Sequence, residues 1–332
     1  MILYIMNPVL IVALGPTGSG KGSIPDKVSK ILNLKSSVVF EQILIDNLVE
    51  NHSHYKSEVK NFIKNRINDY KNNDMSDKDA KQAVIDNFLL KDMDDETLEF
   101  FNNVYFKTRT EYDCKQETKE TNVSPIVNCD SVNNAKMVSA FNNGKNIVFE
   151  STGESFPQWL FDTYQEQIKN HKYQIVMSWS VVEICELIER NYKRAKGSIE
   201  NFITSEYSGS APRLPDITFD IFKSKLNKIV NTFNNDAYSA TCTNIYDGCN
   251  IRILVFDNND RTCKVVFDSD SDSDSNKDSA MDKAKILSGY NVDTSPCSIT
   301  TGGRRKSRRT KKTKKAGKKS RKSLRKTNRR RR

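Results

Sequence analysis

Short apolar runs alternate with helical patterns along most of the chain. Residues 8–14 (PVLIVAL) are continuously apolar, which predicts a strand buried on both faces of a parallel sheet. Further strands are predicted at 37–45, 145–150, 173–179, 250–256 and 262–267, the last two as a hairpin. This spacing leaves room for a helix after most of the strands.

Apolar residues with a 3.6-residue period predict the helices between these strands. The predicted helices span 23–32, 56–70, 156–170, 182–195 and 216–233, with two more inside 72–106 that Ser76 and Asp94 would cap. Residues 111–127 and 197–215 are polar or rich in Gly, Ser and Pro, and are predicted as loops. Alternating strands and helices of this kind predict a three-layer α/β fold with a mainly parallel sheet and helices on both faces.

Charge divides the chain into two unlike parts. Its 332 residues include 53 Lys or Arg and 42 Asp or Glu, a formal net charge of +11. Nineteen of the basic residues and none of the acidic ones lie in 303–332, so residues 1–302 hold 34 basic and 42 acidic residues, a formal charge of −8. The basic isoelectric point therefore does not indicate a nucleic-acid-binding globular domain.

Composition also predicts the domain boundaries. Residues 1–267 would form one globular α/β domain, with 72–127 as a helical and loop insertion. Residues 268–302 would be an acidic Ser/Asp linker with a short helix, and 303–332 a disordered basic tail. A segment so rich in cations and so poor in apolar side chains cannot bury a core, but it would bind nucleic acid or another polyanion non-specifically.

Two other classes of protein are not supported. No apolar run reaches the roughly 18–20 residues needed to cross a bilayer. We therefore predict no membrane span and expect a soluble, intracellular protein. The seven cysteines form no CxxC pair and have no neighbouring histidine, which predicts free thiols in a reducing compartment and argues against a zinc site.

The strongest chemical signal follows the first strand directly. It has the GxxxxGK spacing of a phosphate-binding loop and comprises Gly15, Pro16, Thr17, Gly18, Ser19, Gly20, Lys21, Gly22 and Ser23. Glycines let backbone N–H groups approach a phosphate, the next helix adds partial positive charge, and Lys21 can reach the β- and γ-phosphates. Gly22 stands where Ser or Thr usually follows the lysine, so Ser23 becomes the candidate Mg²⁺ ligand.

A phosphate-binding loop by itself is shared by kinases, motors, GTPases and transporters. The sequence has no NKxD-like guanine motif, no ABC-type signature and no apolar run ending in Asp-Glu. These absences favour a small-molecule kinase. Such an enzyme needs a base for the attacking hydroxyl and arginines to offset the charge on the transferring phosphoryl group.

Further segments, in order along the chain, resemble those of the zeta-toxin-type P-loop kinases. They combine a strand–Asp–His segment, a strand–Glu–Thr motif, two arginine-bearing segments and a last strand. These segments are residues 43–46 with 52–55, 146–152, 187–192, 211–215 and 251–258. The resemblance covers residues 9–267.

The resemblance implies how ATP would be bound. Lys21 and the amides of residues 18–23 would hold its phosphates, with Ser23 at the Mg²⁺ position. Arg190 and Arg213 would stabilise the charge on the phosphoryl group. Each such arginine contributes up to ~10³-fold or more in rate.

The resemblance also implies an acceptor site. Asp46 would be the base for the acceptor hydroxyl, and Glu150 and Thr152 would bind the acceptor. Glu154 departs from the family, which can carry a basic residue there, so the resemblance does not name the acceptor.

Other roles are open for two of these residues. Asp46 could instead cap the helix that follows it. Arg190 could form an i,i+4 ion pair with Glu186, and Arg194, one helical turn further on, could take the catalytic place of Arg190.

Taken together, these features predict an ATP- and Mg²⁺-dependent phosphotransferase that acts on a small-molecule acceptor such as a nucleotide-sugar or a nucleotide. The alternative is a nucleic-acid-associated NTPase or packaged virion protein in which the tail 303–332 is the working part. Basic tails introduced by Gly-Gly resemble those of many giant-virus proteins. That resemblance implies a host cytoplasm, nucleus or virion as the location.

Overall fold

The computed structural model describes residues 7–87, 95–114, 127–214, 223–225, 228 and 251–271. Most of the predicted linker and helix 216–233, and the whole basic tail, lie outside these residues. None of the helices within the described ranges is long and apolar enough to cross a lipid bilayer.

Strands and helices alternate along the described chain, as the sequence pattern predicts. In order, the elements are β1 (Val9–Leu14), a 3₁₀ turn (Lys21–Ser23), α1 (Ile24–Ile31), β2 (Phe40–Ile43), α2 (Asp46–Asn51), α3 (Ser53–Lys71), α4 (Asp77–Asn87), α5 (Asp95–Glu111), α6 (Cys129–Asn142), β3 (Asn146–Ser151), α7 (Gln158–Thr163), α8 (Gln165–His171), β4 (Gln174–Val181), α9 (Ile184–Thr204), β5 (Ile251–Asp257) and β6 (Lys264–Asp268). The predicted cap at Ser76 is confirmed, since its hydroxyl accepts a hydrogen bond from the Asp79 amide at 3.1 Å.

The strands form a six-stranded sheet in the order β2-β3-β1-β4-β5-β6. All neighbours are parallel except β5 and β6, which form the predicted antiparallel pair. Parallel pairing brings the carboxyl ends of β3, β1 and β4 to one edge, with Leu14 opposite both Ser151 and Trp179. Ligands of α/β sheets bind at this kind of edge.

The central strand β1 is buried along its whole length, which explains its unbroken apolar sequence. Val9, Ile11 and Ala13 share a hydrophobic core with Ile24 and Val28 of α1. The alternate side chains point to the opposite face, where α6 packs against β2 and β3. The mixed α/β fold with helices on both faces is thereby confirmed.

A second hydrophobic core lies beside the sheet and joins the helical insertion to α9. It includes buried side chains from α3, α4, α5 and the C-terminal half of α9, among them Val59, Ile63, Val84, Phe101, Ile199 and Phe202. Ala211 and Leu214, from the segment after α9, also belong to this core. The insertion is therefore packed against the elements that surround the sheet edge.

Helix α9 is longer than the sequence pattern predicts. The predicted helix ends at Ala195, but α9 continues to Thr204, so the loop prediction is wrong for residues 197–204. Ile199, Phe202 and Ile203 continue the buried face of the helix. The glycine and serine content of this stretch hid its apolar period, and burial against the insertion outweighs the weak helix propensity of Gly197.

Two other helices differ from the prediction. Helix α6 has no counterpart in it, because its apolar residues are spread around the helix and do not form one face with a 3.6-residue period. Asn128 caps this helix, accepting a hydrogen bond from the Ser131 amide at 2.9 Å. The predicted helix 156–170 is two helices, α7 and α8, which meet at Tyr164.

The prediction of free thiols is wrong for three cysteines. Cys114 and Cys129 form a disulfide with Cα atoms 4.9 Å apart, a normal separation for this bond. Cys185 is also disulfide-bonded, whereas Cys263 is free and buried. The Cys114–Cys129 bond joins the segment after α5 to the start of α6, and the cysteines therefore no longer support a reducing compartment.

We expect Phe202→Ala to lower the free energy of unfolding by about 3–5 kcal/mol, because it leaves a cavity where α9 meets the insertion. Phe202 is 1% exposed. The matched control is Phe106→Ala, since Phe106 is 63% exposed and its loss should change stability by less than about 0.5 kcal/mol. Urea denaturation of both variants checks this, and equal losses would contradict the second core.

Candidate functional site

The glycine-rich loop after β1 adopts a conformation that its glycines make possible. Gly18 and Gly20 have φ angles of 85° and 88°, a region that other residues rarely adopt. A Cβ on Gly18 would lie 2.5 Å from Asn191 Nδ2, and one on Gly20 would collide with Asn258 Nδ2. Both glycines are therefore required by close approach as well as by backbone angle.

Side chains from three elements fix the carbonyl groups of this loop. The Ser19 carbonyl accepts hydrogen bonds from Ser180 Oγ at 2.6 Å and from Asn258 Nδ2 at 2.7 Å. Asn191, on α9, donates from Nδ2 to the Thr17 carbonyl at 2.8 Å. These hydrogen bonds fix the direction of the Thr17 and Ser19 carbonyls and so stabilise the conformation of the loop.

The loop's amide groups remain available to an anion. Within the described residues, the amides of Gly18, Gly20 and Lys21 donate no hydrogen bond, and Ser19 Oγ is buried without a partner. The 3₁₀ turn and α1 begin directly after Gly20 and add the partial positive charge of a helix N-terminus. These groups fit a phosphate better than any cation or neutral ligand.

Lys21 is folded back onto the loop. Its Nζ donates to the Gly15 carbonyl at 2.7 Å and to the Pro16 carbonyl at 3.3 Å. Burial lowers the pKa of Lys21, and the nearby carboxylates of Glu150 and Asp46 oppose that effect. A buried ammonium group held only by carbonyls is poised to pair with a phosphate oxygen.

Ser23 stays a candidate Mg²⁺ ligand. Its hydroxyl donates to the Gly20 carbonyl at 2.9 Å, and Ser23 lines neither of the two cavities that lie at this edge of the sheet. The described residues contain no cluster of three or more His, Cys, Asp or Glu that could hold a metal ion by themselves. A phosphate-binding loop holds Mg²⁺ with a single hydroxyl together with oxygens of the bound phosphates, so a cluster of that kind is not required there.

The larger of the two cavities has a volume of about 640 Å³ and extends from Lys21 to the end of β3. It combines charged, amide and aromatic side chains, including Lys21, Asp46, Arg109, Asp130, Asn133, Glu150, Thr152, Trp159 and Arg213. Arg109 and Asp130 form an ion pair at 2.8 Å across its α5–α6 wall. Trp159 is 49% exposed and packs edge-on against Phe149, so an aromatic surface is open to the cavity.

Asp46 lies at the centre of the site, at the start of α2. One carboxylate oxygen accepts a hydrogen bond from the Tyr105 hydroxyl at 2.5 Å, and the other is paired with Arg213. Asp46 is the first helical residue of α2 and Ile45 occupies the cap position, so Asp46 does not have the alternative role of a helix cap. Burial acts to lower the pKa of Arg213, but the charge of Asp46 raises it above its ordinary value.

The smaller cavity, about 310 Å³, lies on the other side of the Asp46–Arg213 pair. Both cavities share Thr17, Asp46 and Arg213. Glu50 and Arg194 also line the smaller one, and burial followed by the charge of Asp46 raises the pKa of Glu50. The cavities are therefore two halves of one cleft, divided by an ion pair above the phosphate-binding loop.

Arg190 faces away from this cleft. It pairs with Glu186 at 2.7 Å, as the second interpretation of the sequence has it, and donates to the Asn258 and Asn259 carbonyls at 2.7 Å. These contacts tie α9 to the β5–β6 loop. Arg194 lines the smaller cavity and has no hydrogen-bond or ion-pair partner for its guanidinium among the described residues.

Glu154 and His52, the first residue of the segment 52–55, have structural partners outside the cleft. Glu154 lies 3.7 Å from Lys225 and 3.5 Å from Lys228, so its charge is offset outside both cavities. His52 caps α3, accepting from the His54 amide, and its other ring nitrogen lies 2.8 Å from the Asp113 carbonyl. Neither of them lines the cleft.

The sequence pattern missed several residues of the site. Asn191 could have been noticed from the sequence, because it is a polar residue at a position on the apolar face of the helix that became α9. In the structure it is 1% exposed, and its Oδ1 atom has no hydrogen-bond partner among the described residues. Tyr105, which contacts Asp46, and Arg109, which lines the larger cavity, had none, because both lie in the helical insertion and come close to the other site residues only through folding.

The sheet order, the loop after its central strand and the cleft above that loop define a P-loop α/β protein. No family model and no curated protein sequence matches the chain. Among solved structures, one from the PezAT chromosomal toxin–antitoxin system of Streptococcus pneumoniae is similar, with 15% identity and a TM-score of 0.43. The alignment covers 86% of this chain and 80% of that one.

We expect Gly20→Ala to lower the free energy of unfolding by at least about 1–2 kcal/mol. The alanine would have to keep the left-handed backbone conformation of Gly20, and its Cβ would collide with the buried side-chain amide of Asn258. Gly22→Ala is the matched control. A Cβ there meets nothing within 4 Å, so we expect a change below about 0.5 kcal/mol. Urea denaturation compares the two, and equal stabilities would contradict the loop geometry.

Proposed function

We propose that this protein is an ATP-dependent phosphotransferase of the zeta-toxin-like P-loop kinase type. It would move the γ-phosphoryl group to a hydroxyl of a small-molecule acceptor. The observation that carries the proposal is the meeting of Lys21, Asp46, Glu150 and Arg213 around one cleft, directly above a phosphate-binding loop. Such a cleft would provide both a site for the phosphates of the donor and a carboxylate for the acceptor.

The donor side is the phosphate-binding loop. The free amides of Gly18, Gly20 and Lys21 would bind the phosphates of ATP, which supplies the phosphoryl group. The Lys21 ammonium would leave the Gly15 and Pro16 carbonyls and pair with a phosphate oxygen. This exchange replaces two neutral acceptors by an anionic one and strengthens the hydrogen bond.

Asp46 would orient the acceptor hydroxyl and take its proton. The new bond joins the acceptor oxygen to the phosphorus as the bond to the bridging oxygen of ADP breaks, and the hydroxyl proton passes to the Asp46 carboxylate. Tyr105 and Arg213 each use one oxygen of this carboxylate. Since each oxygen has two lone pairs, capacity remains for the acceptor hydroxyl.

Arg213 and Arg194 would offset the charge on the transferring phosphoryl group. Arg213 lies beside Asp46 in both cavities, and Arg194 approaches from α9 in the smaller one. Arg190 was the first choice on sequence grounds, but its guanidinium is already used by Glu186 and two carbonyls. The arginine one turn further on is the better candidate.

The larger cavity would bind the acceptor. Glu150 and Thr152 at the end of β3 supply polar contacts, and the exposed ring of Trp159 offers a stacking surface. A volume of about 640 Å³ lies within the usual range of small-molecule sites. These features favour an acceptor of nucleotide or nucleotide-sugar size.

Lys21→Ala is expected to abolish phosphoryl transfer from ATP, because the phosphate oxygens lose their cationic partner. Transfer is measured with labelled ATP against nucleotide-sugars, nucleosides and 5′-hydroxyl nucleic acids. Circular dichroism should show an unchanged fold. If the wild-type protein transferred phosphate to none of these acceptors, the proposal would be wrong.

A chain that ends at Gly302 keeps β6 complete and loses only the basic tail, and it separates this proposal from a tail-centred function. The tail carries 19 cations in 30 residues, which favours salt-dependent binding to polyanions. We expect the shortened chain to keep phosphoryl transfer and to lose polyanion binding. If the shortened chain lost phosphoryl transfer as well as polyanion binding, the result would support a nucleic-acid-associated NTPase or packaged protein instead.

Arg194→Ala and Arg190→Ala form a matched pair one helical turn apart. We expect Arg194→Ala to lower kcat by up to ~10³-fold with little change in Tm, since it removes charge stabilisation alone. Arg190→Ala should keep kcat and lower stability by about 1–3 kcal/mol, since the Asn258 and Asn259 carbonyls lose their donor. The opposite pattern would return the catalytic role to Arg190.

A further inference from the structure

Tyr105, on α5 of the helical insertion, contacts Asp46. Its hydroxyl donates to one Asp46 oxygen at 2.5 Å, while Arg213 pairs with the other. The same guanidinium lies 4.6 Å from the centroid of the Tyr105 ring, over its face. The three side chains therefore form a closed triangle in which each member contacts the other two.

The ring of Tyr105 is itself held in place. It packs edge-on against Tyr55, with centroids 6.1 Å apart and an interplanar angle of 87°. Burial, followed by the charge of Asp46, raises the pKa of Tyr105 above its ordinary value. The hydroxyl thus stays protonated over the working pH range and remains a donor.

Tyr55 also fixes the third member of the triangle. This fully buried tyrosine donates to the Pro212 carbonyl at 3.0 Å, and the neighbouring Ala211 amide donates to the Glu50 carbonyl at 3.0 Å. Arg213 follows directly in sequence. Its backbone is therefore anchored to α2 and α3, the helices that carry Asp46 and Tyr55.

Tyr105 lines neither cavity, so it would not touch a bound donor or acceptor. Its influence would pass through the Asp46 carboxylate. A side chain held by two donors on opposite oxygens cannot rotate freely, and a base must keep its orientation to within a fraction of an ångström to act.

We propose that Tyr105 is a positioning residue that fixes the Asp46 carboxylate, together with Arg213, in the orientation needed to receive the acceptor proton. The inference rests on the proposed phosphotransferase function. It gives the helical insertion a part in the reaction, since α5 contributes an orienting donor to the opposite wall of the cleft.

Tyr105→Phe tests this role because it removes the hydroxyl and keeps the ring that packs on Tyr55 and Arg213. We expect kcat to fall by about tenfold or more, with ATP affinity, measured by calorimetry without turnover, unchanged. Tyr173→Phe is the matched control. This change removes a buried hydroxyl that donates to the Lys145 carbonyl at 2.8 Å. Tyr173 directly precedes the amino end of β4, whereas the cleft lies at the carboxyl ends of the strands. The kcat of Tyr173→Phe should equal that of the wild type.

A second measurement needs no activity. Tyr105→Phe should lower Tm in the wild-type protein and lower it less in the Asp46→Ala background, because the interaction partner is already gone. Equal losses in both backgrounds, or a Tyr105→Phe kcat no lower than that of Tyr173→Phe, would overturn the inference. Absence of transfer by the wild-type protein would instead count against the proposed function, and the Tm comparison would still decide whether Tyr105 acts on Asp46.

Discussion

The ion pair between Asp46 and Arg213 links the elements that form the cleft above the phosphate-binding loop. It joins the start of α2 to the segment that returns from α9, and the two cavities lie on either side of it. An isolated ion pair on the surface would contribute little to the stability of the fold, since solvent competes for both charges. Here the guanidinium also rests on the Tyr105 ring and the backbone before it is tied to α2 and α3, so the pair is one part of a network.

Beneath that pair, the phosphate-binding loop is shaped by groups from distant parts of the chain. Ser180, Asn191 and Asn258 each donate to loop carbonyls, which leaves the amides to face the cleft. Because the carbonyls are already fixed and the amides face the cleft, the loop can bind an anion without first changing its conformation. Lys21 and Asp46 then lie on one side of the loop, close enough for each charge to act on the other.

The sequence predicted the sheet and its loop well because both depend on local patterns. An unbroken apolar strand followed by GxxxxGK leaves few alternatives, and β1, α1 and the β5–β6 hairpin lie close to their predicted positions. It failed at α6 and at the end of α9, where helix formation depends on burial against other helices. The sequence left Arg190 and Arg194 as alternatives for the catalytic arginine for a related reason: both lie on one helix, and only their neighbours in space distinguish them.

By itself, then, the sequence determined that a phosphate-binding loop follows a central buried strand, and it named Lys21, Asp46, Glu150 and Arg213, which the fold brings to one cleft. Tertiary structure alone decided how these groups are held. Tyr105 is 59 residues from Asp46, and Arg194 has the same charge and helical setting as Arg190. Periodicity and motif spacing report which face of an element is buried, whereas an orienting hydrogen bond depends on the packing of elements that are far apart in the chain.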